Sequence, residues 1–215
     1  MASAPLTLYS YWRSTTSYRV RAALNLKRIA YQIEPVDLLG GEQRDESYAA
    51  LNPGKGVPTL ILADGTVLTQ SMAILDFIET TWPDPPLLPH DPVERAKVLA
   101  AAHTVAVDVH PVNNLRVVRH LQTSIGMDAD AAKGWMQHWI HQGFEAYETL
   151  VNDATPFSFG DTPNIADLCL VAQTYNAHRW GVDLTPFPNI ARIETACLAV
   201  PAIAAAHPDQ QPDAQ

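Results

Sequence analysis

The sequence predicts an α/β domain followed by an all-helical domain. In residues 6–81 the apolar pattern changes repeatedly between a period of two, typical of strands, and a period near 3.6, typical of helices. Beyond residue 90 only the helical period recurs. Between the two lies the segment 82–89, which is too rich in proline to continue a helix. We therefore expect one domain at residues 1–85 and a second at residues 90–215.

The pattern of the first domain predicts strand, helix, strand, short helix, hairpin and helix. Residues 6–8 alternate, residues 17–28 carry an apolar helical stripe, and alternation returns at residues 31–35. This order favours a right-handed crossover with the first two strands parallel. An Asp-Gly turn within residues 59–68 predicts a hairpin, and Ser71 is expected to cap the next helix. The order is that of thioredoxin-like folds, although periodicity alone does not select it from other small α/β folds.

Capping residues place the helices of the second domain. The predicted starts, each a capping residue ahead of an apolar helical pattern, are Asp91, Asp128 and Asn164. Pro111 is expected to bend the first of these helices, and Gly181 to end the third. The polar tail after Pro201 is expected to be loose.

Composition and charge exclude several classes of protein. Fourteen Lys and Arg against 23 Asp and Glu give a net charge of -9, which repels nucleic acid and anionic membranes. No stretch approaches the roughly 18 apolar residues of a membrane helix. Cys169 and Cys197 show no CxxC spacing and are expected to be core residues. We therefore expect a cytoplasmic protein with no nucleic-acid partner, no membrane partner and no metal site.

The segment between the first strand and the first helix is suited to binding an anion. Residues 14–17 are Ser, Thr, Thr and Ser at a helix start, where unpaired N–H groups and the helix dipole favour negative charge. A thiolate bound there would have a lowered pKa. Ordinary helix capping explains these residues as well, and on this stretch alone it is the simpler interpretation.

A second candidate site combines two pairs of residues around the hairpin. Pro58, entering a strand after Val57, is a candidate for a cis peptide bond that exposes the Val57 backbone to a peptide-like ligand. Gln70 and the N–H of Ser71 are suited to holding a carboxylate at a helix start. A turn proline and another helix cap explain the same residues.

Motifs in both halves of the chain together resemble the zeta class of glutathione transferases, which includes maleylacetoacetate isomerases and bacterial maleylpyruvate isomerases. The opening motif of that class, Arg-Ser-Ser-Cys-x-Trp-Arg-Val-Arg, is similar to residues 13–21. The further matches are residues 50–53, 57–60, 70–71, 110–114, 166–171 and 182–186. The resemblance implies the glutathione transferase fold: a thioredoxin-like, glutathione-binding domain, a helical domain that completes the substrate site, and a homodimer.

The resemblance also implies roles for individual residues. Ser14 would donate a hydrogen bond to the sulfur of glutathione, and Val57, next to Pro58, would pair with its cysteinyl backbone. The remaining glutathione ligands that it implies are Thr15, Thr16, Gln43, Gln70, Ser71, His110 and Asn114. For His110 a packing role in a helix is an equal alternative.

The activity implied is cis–trans isomerisation of a maleyl keto-diacid in the catabolism of aromatic compounds. Glutathione would act as a nucleophilic cofactor that is not consumed. Arginine forks suit the two carboxylates of such a dicarboxylate substrate, and Arg13 and Arg179 are the candidates. For Arg179, a cation stabilising a helix C-terminus is the alternative. Thr16 stands where many members have cysteine, which disfavours reductive dehalogenation through a mixed disulfide.

Other functions remain open at this point. The same thiolate would serve conjugation of glutathione to electrophiles, or dehalogenation of small α-halo acids. A non-catalytic glutathione-binding interaction protein has no need of Arg13, Ser14, Gln70 and Ser71 together. A thioredoxin-type oxidoreductase is disfavoured because residues 13–17 contain no cysteine. The sequence does not choose between maleylacetoacetate and maleylpyruvate.

Overall fold

The computed structural model describes residues 5–151 and 153–215 of the chain. The contacts among these residues group them into two units. The first contains the chain up to Leu87 together with Ala199–Gln215, and the second contains Leu88–Leu198. The single proline-rich linker predicts that the chain passes from the first domain to the second only once. The contacts show instead that its C-terminal segment, Ala199–Gln215, belongs to the first unit.

Within the described residues, a mixed sheet of four strands forms the centre of the first unit, in the order β2-β1-β3-β4. Its strands are β1 (Leu6–Ser10), β2 (Tyr31–Pro35), β3 (Thr59–Ile61) and β4 (Val67–Thr69). β1 and β2 are parallel, while β3 is antiparallel to both β1 and β4. Leu8 and Leu60 are paired in register across β1 and β3, and both are fully buried. The predicted parallel pair and hairpin are confirmed.

The helices that precede the linker are α1 (Thr15–Leu26), α2 (Glu46–Leu51) and α3 (Ser71–Thr81). α1 begins two residues before the predicted stripe, because Ser14 takes the capping position and accepts a hydrogen bond from the N–H of Ser17. The prediction that Ser71 caps α3 is wrong. Gln70 holds that position, and Ser71 is the first helical residue. With the sheet, these helices give the predicted thioredoxin-like fold.

A buried ion pair joins α1, α3 and the start of the linker. The Lys27 Nζ lies 2.7 Å from Glu79 Oε2 and donates hydrogen bonds to the carbonyls of Trp82 and Pro85. Glu79 also accepts from the N–H of Leu87 at 3.1 Å. The two charged side chains are only 0% and 9% exposed. Because a buried charge is costly without its partner, this pair holds the first linker residues on the first unit.

The second unit is built from helices. They are α4 (Pro92–His103), a π-helical segment (Thr104–Val109), α5 (Leu115–Ser124), α6 (Ala129–Leu150), α7 (Ile165–Trp180) and α8 (Pro188–Leu198). The predicted caps of α4, α6 and α7 are confirmed as Asp91, Asp128 and Asn164. The predicted bend at Pro111 is wrong, since the π-helical segment ends at Val109, before this proline, and α5 starts after Asn114. Across the described part of both units, no helix is long and apolar enough to cross a membrane.

Asp167 anchors the start of α7 through a buried polar cluster. Its carboxylate accepts from the N–H of Asn164 at 2.8 Å, and from the N–H and hydroxyl of Ser158 at 2.8 and 2.6 Å. The Ser158 hydroxyl also lies 2.7 Å from that of Tyr147 on α6. Burial raises the pKa of Asp167 to about 6, because these hydrogen bonds only partly offset the loss of hydration. The contact between α6 and α7 therefore contains a titratable group.

The π-helical segment approaches α6 closely at Gly143. A Cβ atom built on Gly143 would lie 2.0 Å from Cγ2 of Val109, far inside normal contact distance. Val109 is buried, and its β-branched side chain has few rotamers by which to move away. Only glycine leaves room for this contact.

The C-terminal segment packs on α1. It contains the short helix α9 (Pro201–Ala205), and Asn25 of α1 donates to the carbonyl of Ala202 at 3.0 Å. The ring of His207 meets that of Tyr18 edge-on, with centroids 5.8 Å apart. The expectation of a loose tail is wrong, because side chains of α1 hold the segment.

Candidate active site

The loop after β1 places Ser14 at the N-terminus of α1. Ser14 has φ -70° and ψ 118°, outside the helical region, and its carbonyl accepts from the N–H of Tyr18 at 2.9 Å. The first N–H groups of a helix lack partners within the helix, and the helix dipole is positive at this end. An anion beside Ser14 would therefore meet both a hydroxyl donor and the positive end of α1.

A hydrogen-bonded chain runs from Ser14 to Val57. Ser14 Oγ lies 2.8 Å from Thr16 Oγ1, which donates to the carbonyl of Val57 at 2.8 Å. A threonine hydroxyl has one proton, so the Ser14 hydroxyl is the donor toward Thr16. The peptide bond between Val57 and Pro58 is cis. The structure thus brings together the residues predicted to face the sulfur and the cysteinyl backbone.

Gln70 and Ser71 form the start of α3. Gln70 is exposed and has φ 69° and ψ 113°, a conformation rare for residues with side chains. Its side chain makes no capping hydrogen bond. Strained non-glycine residues of this kind cluster at functional sites, where the surrounding structure holds them in place. Beside this residue, the first N–H groups of α3 offer the donors that a carboxylate requires.

Gln43 and Thr15 are both buried, as are Pro58 and Ser71 among the other predicted ligands of the first unit. Gln43 lies in a 3₁₀ turn (Glu42–Arg44) and is 7% exposed, and its Nε2 donates to the carbonyl of Leu38 at 3.4 Å. Thr15 is 6% exposed in the first turn of α1. Gln43 is therefore partly engaged by its own loop, while Thr15 lies directly beside Ser14.

Arg13 lies on the same loop between aromatic neighbours. Its guanidinium carbon is 4.7 Å from the centre of the Trp12 ring, and Nη2 donates to the hydroxyl of Tyr11 at 3.1 Å. A guanidinium placed over an aromatic face is stabilised by the ring quadrupole and keeps its planar fork for a carboxylate. Sequence reasoning missed these two supports, although aromatic residues directly before a candidate arginine are a visible signal.

In the second unit, His110 and Asn114 are adjacent at the end of the π-helical segment. His110 Nε2 and Asn114 Nδ2 are 3.4 Å apart, and Asn114 Oδ1 accepts from the N–H of Arg116 as the cap of α5. Both side chains are half-buried. π-helical turns occur frequently at functional sites, and the apolar pattern of the sequence did not reveal this one.

Arg179 is exposed in the last turn of α7. Its Nη1 donates to Asn176 Oδ1 at 3.2 Å, and its guanidinium carbon is 5.9 Å from the centre of the Trp180 ring. A cation at this position also stabilises the C-terminal end of the helix dipole, which was the alternative expected from the sequence. The residue as a whole is exposed, although its guanidinium is engaged by Asn176.

Comparison with known proteins identifies the family. Residues 13–81 match the N-terminal domain of glutathione S-transferases. A maleylacetoacetate isomerase from Pseudomonas aeruginosa is 44% identical over 210 residues, covering 97% of this chain and 98% of that protein. The holo structure of a maleylpyruvate isomerase, a bacterial zeta-class glutathione transferase, has a TM-score of 0.94 and 42% identity, covering 97% of this chain and 100% of that one. This chain belongs to the zeta class of glutathione transferases.

Other proteins similar to this zeta-class chain are named for the same pair of activities. A maleylpyruvate isomerase from a Ralstonia species is 43% identical over 211 residues, 97% of this chain and 99% of that protein. A maleylacetoacetate isomerase from Methylobacterium extorquens AM1, with bound malonate and glutathione, has a TM-score of 0.94 and 39% identity, covering 97% of this chain and 99% of that one. A third structure is the maleylacetoacetate isomerase from Anaeromyxobacter dehalogenans 2CP-1, with dicarboxyethyl glutathione and citrate in its active site. Its TM-score is 0.89 and its identity 43%, covering 100% of this chain and 96% of that one.

Proposed function

We propose that this chain is a glutathione-dependent isomerase that converts the cis double bond of maleylacetoacetate or maleylpyruvate to the trans form. Relatives that are 44% and 43% identical over nearly their whole length are named for these two reactions. The observation that carries the proposal is the Ser14 hydroxyl at the N-terminus of α1, bonded through Thr16 to the cis Val57–Pro58 segment.

Glutathione suits this site because the residues present match its parts. When bound, it supplies a thiolate that adds to a conjugated double bond, permits rotation and is released unchanged. The ligand of the Anaeromyxobacter protein joins glutathione to a dicarboxyethyl group, so a site of this family holds both components at once. That pairing supports a substrate with two carboxylates for this chain.

Ser14 is proposed to keep the sulfur negatively charged. Its hydroxyl turns from Thr16 toward the thiolate, and the N-terminus of α1 adds the positive end of the helix dipole. A hydrogen bond to a charged group contributes about 1.5–3 kcal/mol, and 1.36 kcal/mol corresponds to about one pKa unit. Ser14→Ala is therefore expected to raise the pKa of bound glutathione by about 1 or more.

The remaining ligands are proposed to hold the peptide part of glutathione. Gln70 and the first N–H groups of α3 bind the γ-glutamyl carboxylate, and the Val57 backbone pairs with the cysteinyl residue. The proposed lining of the rest of the site is Thr15, Pro58, Gln43, His110 and Asn114. Holding the tripeptide in one pose turns a bimolecular reaction into an effectively unimolecular one.

Arg13 and Arg179 are proposed to bind the two carboxylates of the substrate. Both offer planar, permanently charged forks that match a carboxylate. The chain as a whole is acidic, with a net charge of -9, so local cations are needed to attract a dianion. Binding of the carboxylates keeps the substrate in the site while its carbon skeleton turns about the bond that thiolate addition has made single.

We also propose that the chain acts in the cytoplasm as a homodimer. The homodimer rests on membership of the zeta class, and the cytoplasmic location on the acidic composition and the absence of disulfide-type cysteine spacing. Sedimentation at several concentrations tests the homodimer: a single species of the monomer mass, 23.6 kDa, would contradict it.

The decisive experiment follows the loss of the substrate's enol absorbance with purified protein and catalytic amounts of glutathione. Turnover of many substrate molecules for each glutathione supports isomerisation. Stoichiometric consumption of glutathione would indicate conjugation instead, and halide release from α-halo acids would indicate dehalogenation. Comparing kcat/KM for maleylacetoacetate and for maleylpyruvate shows which of the two is the better substrate.

Variants of the arginines test the carboxylate assignment. Loss of a charge-assisted hydrogen bond corresponds to about 10–100-fold in kcat/KM, which is expected for Arg13→Ala and for Arg179→Ala. Arg44→Ala, at an exposed position of the same charge, is the matched control and should keep full activity. Wild-type turnover in both test variants would remove the two arginines from substrate binding.

A further inference from the structure

Arg21 is buried inside the first unit and points its guanidinium at the loop that precedes Ser14. Its side chain is fully withdrawn from solvent, at 0% exposure. It donates to the Ser10 hydroxyl at 2.9 Å, and to the carbonyls of Tyr11 at 3.5 Å and Trp12 at 3.1 Å. On the other side it donates twice to the carbonyl of Ala206, at 3.0 and 3.1 Å. One cation thus joins the loop after β1 to the C-terminal segment.

Asp213 makes a second connection between the same two parts of the chain. Its Oδ2 accepts from the N–H of Trp12 at 2.9 Å, across 201 positions of sequence. The residue is half-buried, and its other carboxylate oxygen, Oδ1, is withdrawn from solvent. The carboxylate thus holds the loop after β1 through one oxygen while the other faces the protein interior.

These contacts lead to Ser14 through the backbone. The N–H of Ser14 donates to the carbonyl of Tyr11 at 2.9 Å, and that carbonyl also accepts from Arg21. The Trp12 ring, whose backbone N–H is held by Asp213, lies beneath the guanidinium of Arg13. Arg21 is therefore linked to Ser14 through the Tyr11 carbonyl, and Asp213 to Arg13 through Trp12.

We propose that Arg21 and Asp213 are positioning residues of the thiolate site, and that the C-terminal segment Ala199–Gln215 is part of the active-site scaffold. Neither residue is placed at the reacting atoms; each acts through the backbone of Tyr11 or Trp12. The proposal rests on the proposed function of Ser14 and Arg13. Displacement of catalytic groups by about 1 Å can lower rates about 100-fold, so small movements of this loop matter.

The test uses the full-length protein with substitutions at Asp213. Asp213→Ala removes the acceptor of the Trp12 N–H. Asp213→Asn keeps an acceptor oxygen and should therefore behave much like the wild type. Gln210→Ala, an exposed residue of the same segment, is the matched control. Amide hydrogen exchange of residues 11–14 measures the loop directly, without glutathione or substrate.

For Asp213→Ala we expect exchange of the Trp12 amide and its neighbours to speed up about 10-fold, the equivalent of one lost hydrogen bond. We expect kcat to fall about 10-fold with the glutathione dissociation constant little changed, because Gln70 and Val57 lie outside these contacts. The Asn variant and the Gln210 control should resemble the wild type.

Arg21→Lys provides the second variant, since lysine keeps the buried charge but lacks the planar fork that reaches several carbonyls. We expect faster exchange of the Ser14 amide and a raised pKa of bound glutathione, with the circular dichroism spectrum of the folded protein retained. A purely structural role would alter stability without moving that pKa.

Two results would overturn the proposal. One is unchanged exchange of residues 11–14 in both Asp213→Ala and Arg21→Lys. The other is faster exchange with unaltered kcat and unaltered thiol pKa, which would mean that the site does not depend on the loop. Failure of the proposed function is distinguishable, because it would appear already in the wild type as glutathione bound with an ordinary thiol pKa.

Discussion

Replacing Gly143 by alanine is expected to destabilise the protein, although alanine is the better helix former. The added Cβ would lie 2.0 Å from Cγ2 and 3.5 Å from Cβ of Val109, whereas carbon atoms in contact sit about 3.5–4.0 Å apart. Relief requires the buried Val109 to leave its rotamer, or α6 and the π-helical segment to separate. Overpacking costs about 1–3 kcal/mol, and helix propensity returns about 1 kcal/mol. For so deep an overlap we expect a net loss of about 2 kcal/mol.

Urea unfolding followed by far-ultraviolet circular dichroism, at one fixed protein concentration, measures this loss. Gly134→Ala is the matched control, because Gly134 lies in the same helix and nothing comes within 4 Å of an added Cβ. That control is expected to gain about 0.5–1 kcal/mol from helix propensity.

The Val109→Ala background provides the sharpest form of the test. Without the Cγ atoms of Val109 the clash disappears, so Gly143→Ala should become stabilising by about 0.5–1 kcal/mol. The predicted change of sign amounts to a coupling of about 3 kcal/mol between the two positions. If Gly143→Ala stabilises the protein in both backgrounds, the close approach of the π-helical segment to α6 is not real.

Three further predictions concern charged groups. Lys27→Met leaves Glu79 buried without its cation and should lower the free energy of unfolding by about 3–5 kcal/mol, with Lys27→Met/Glu79→Leu recovering most of it in urea titrations. Burial raises the pKa of Asp167 from 3.8 to about 6, so the folded state holds this proton more tightly than the unfolded state does. The contribution of this proton to the free energy of unfolding is complete below about pH 4 and is lost as the pH rises through 6. Relative to Asp167→Asn, the wild type should therefore lose up to about 3 kcal/mol over that range; equal pH profiles would contradict this. Asp91→Ala removes the cap of α4 and should cost about 1 kcal/mol, seen as a lower Tm.

The sequence predicted those parts of the fold that depend on local signals. Asp91, Asp128 and Asn164 each begin a helix, because a capping side chain acts on N–H groups only two or three residues away. The parallel first pair of strands and the hairpin follow from short spacings in the same way. The predicted cap of α3 was wrong because the capping position lies one residue before Ser71, on Gln70. The positive φ of Gln70 is imposed by the tertiary structure and not by its residue type.

The candidate site likewise combines residues that local sequence signals predicted with contacts between residues far apart in the sequence. Ser14 at a helix start and Pro58 before a strand are local features. The resemblance to the zeta class assigned both of them to one glutathione site. The hydrogen bond from Thr16 to Val57 joins residues 41 positions apart, and that from Trp12 to Asp213 spans 201. No periodicity or spacing in a single sequence encodes such pairings, so the packing of the tail and its contacts with Arg21 and Trp12 were missed.

Thr16, in the place where many zeta-class members have cysteine, has a consequence for oxidative stress. The two cysteines of the chain, Cys169 and Cys197, are fully buried, and burial raises the pKa of the Cys197 thiol well above its ordinary value. Peroxide and alkylating reagents attack thiolates, and an enclosed neutral thiol offers them almost none. The cysteines of this protein should therefore resist oxidation, and the supply of reduced glutathione, more than damage to a protein thiol, would limit its turnover in a stressed cell.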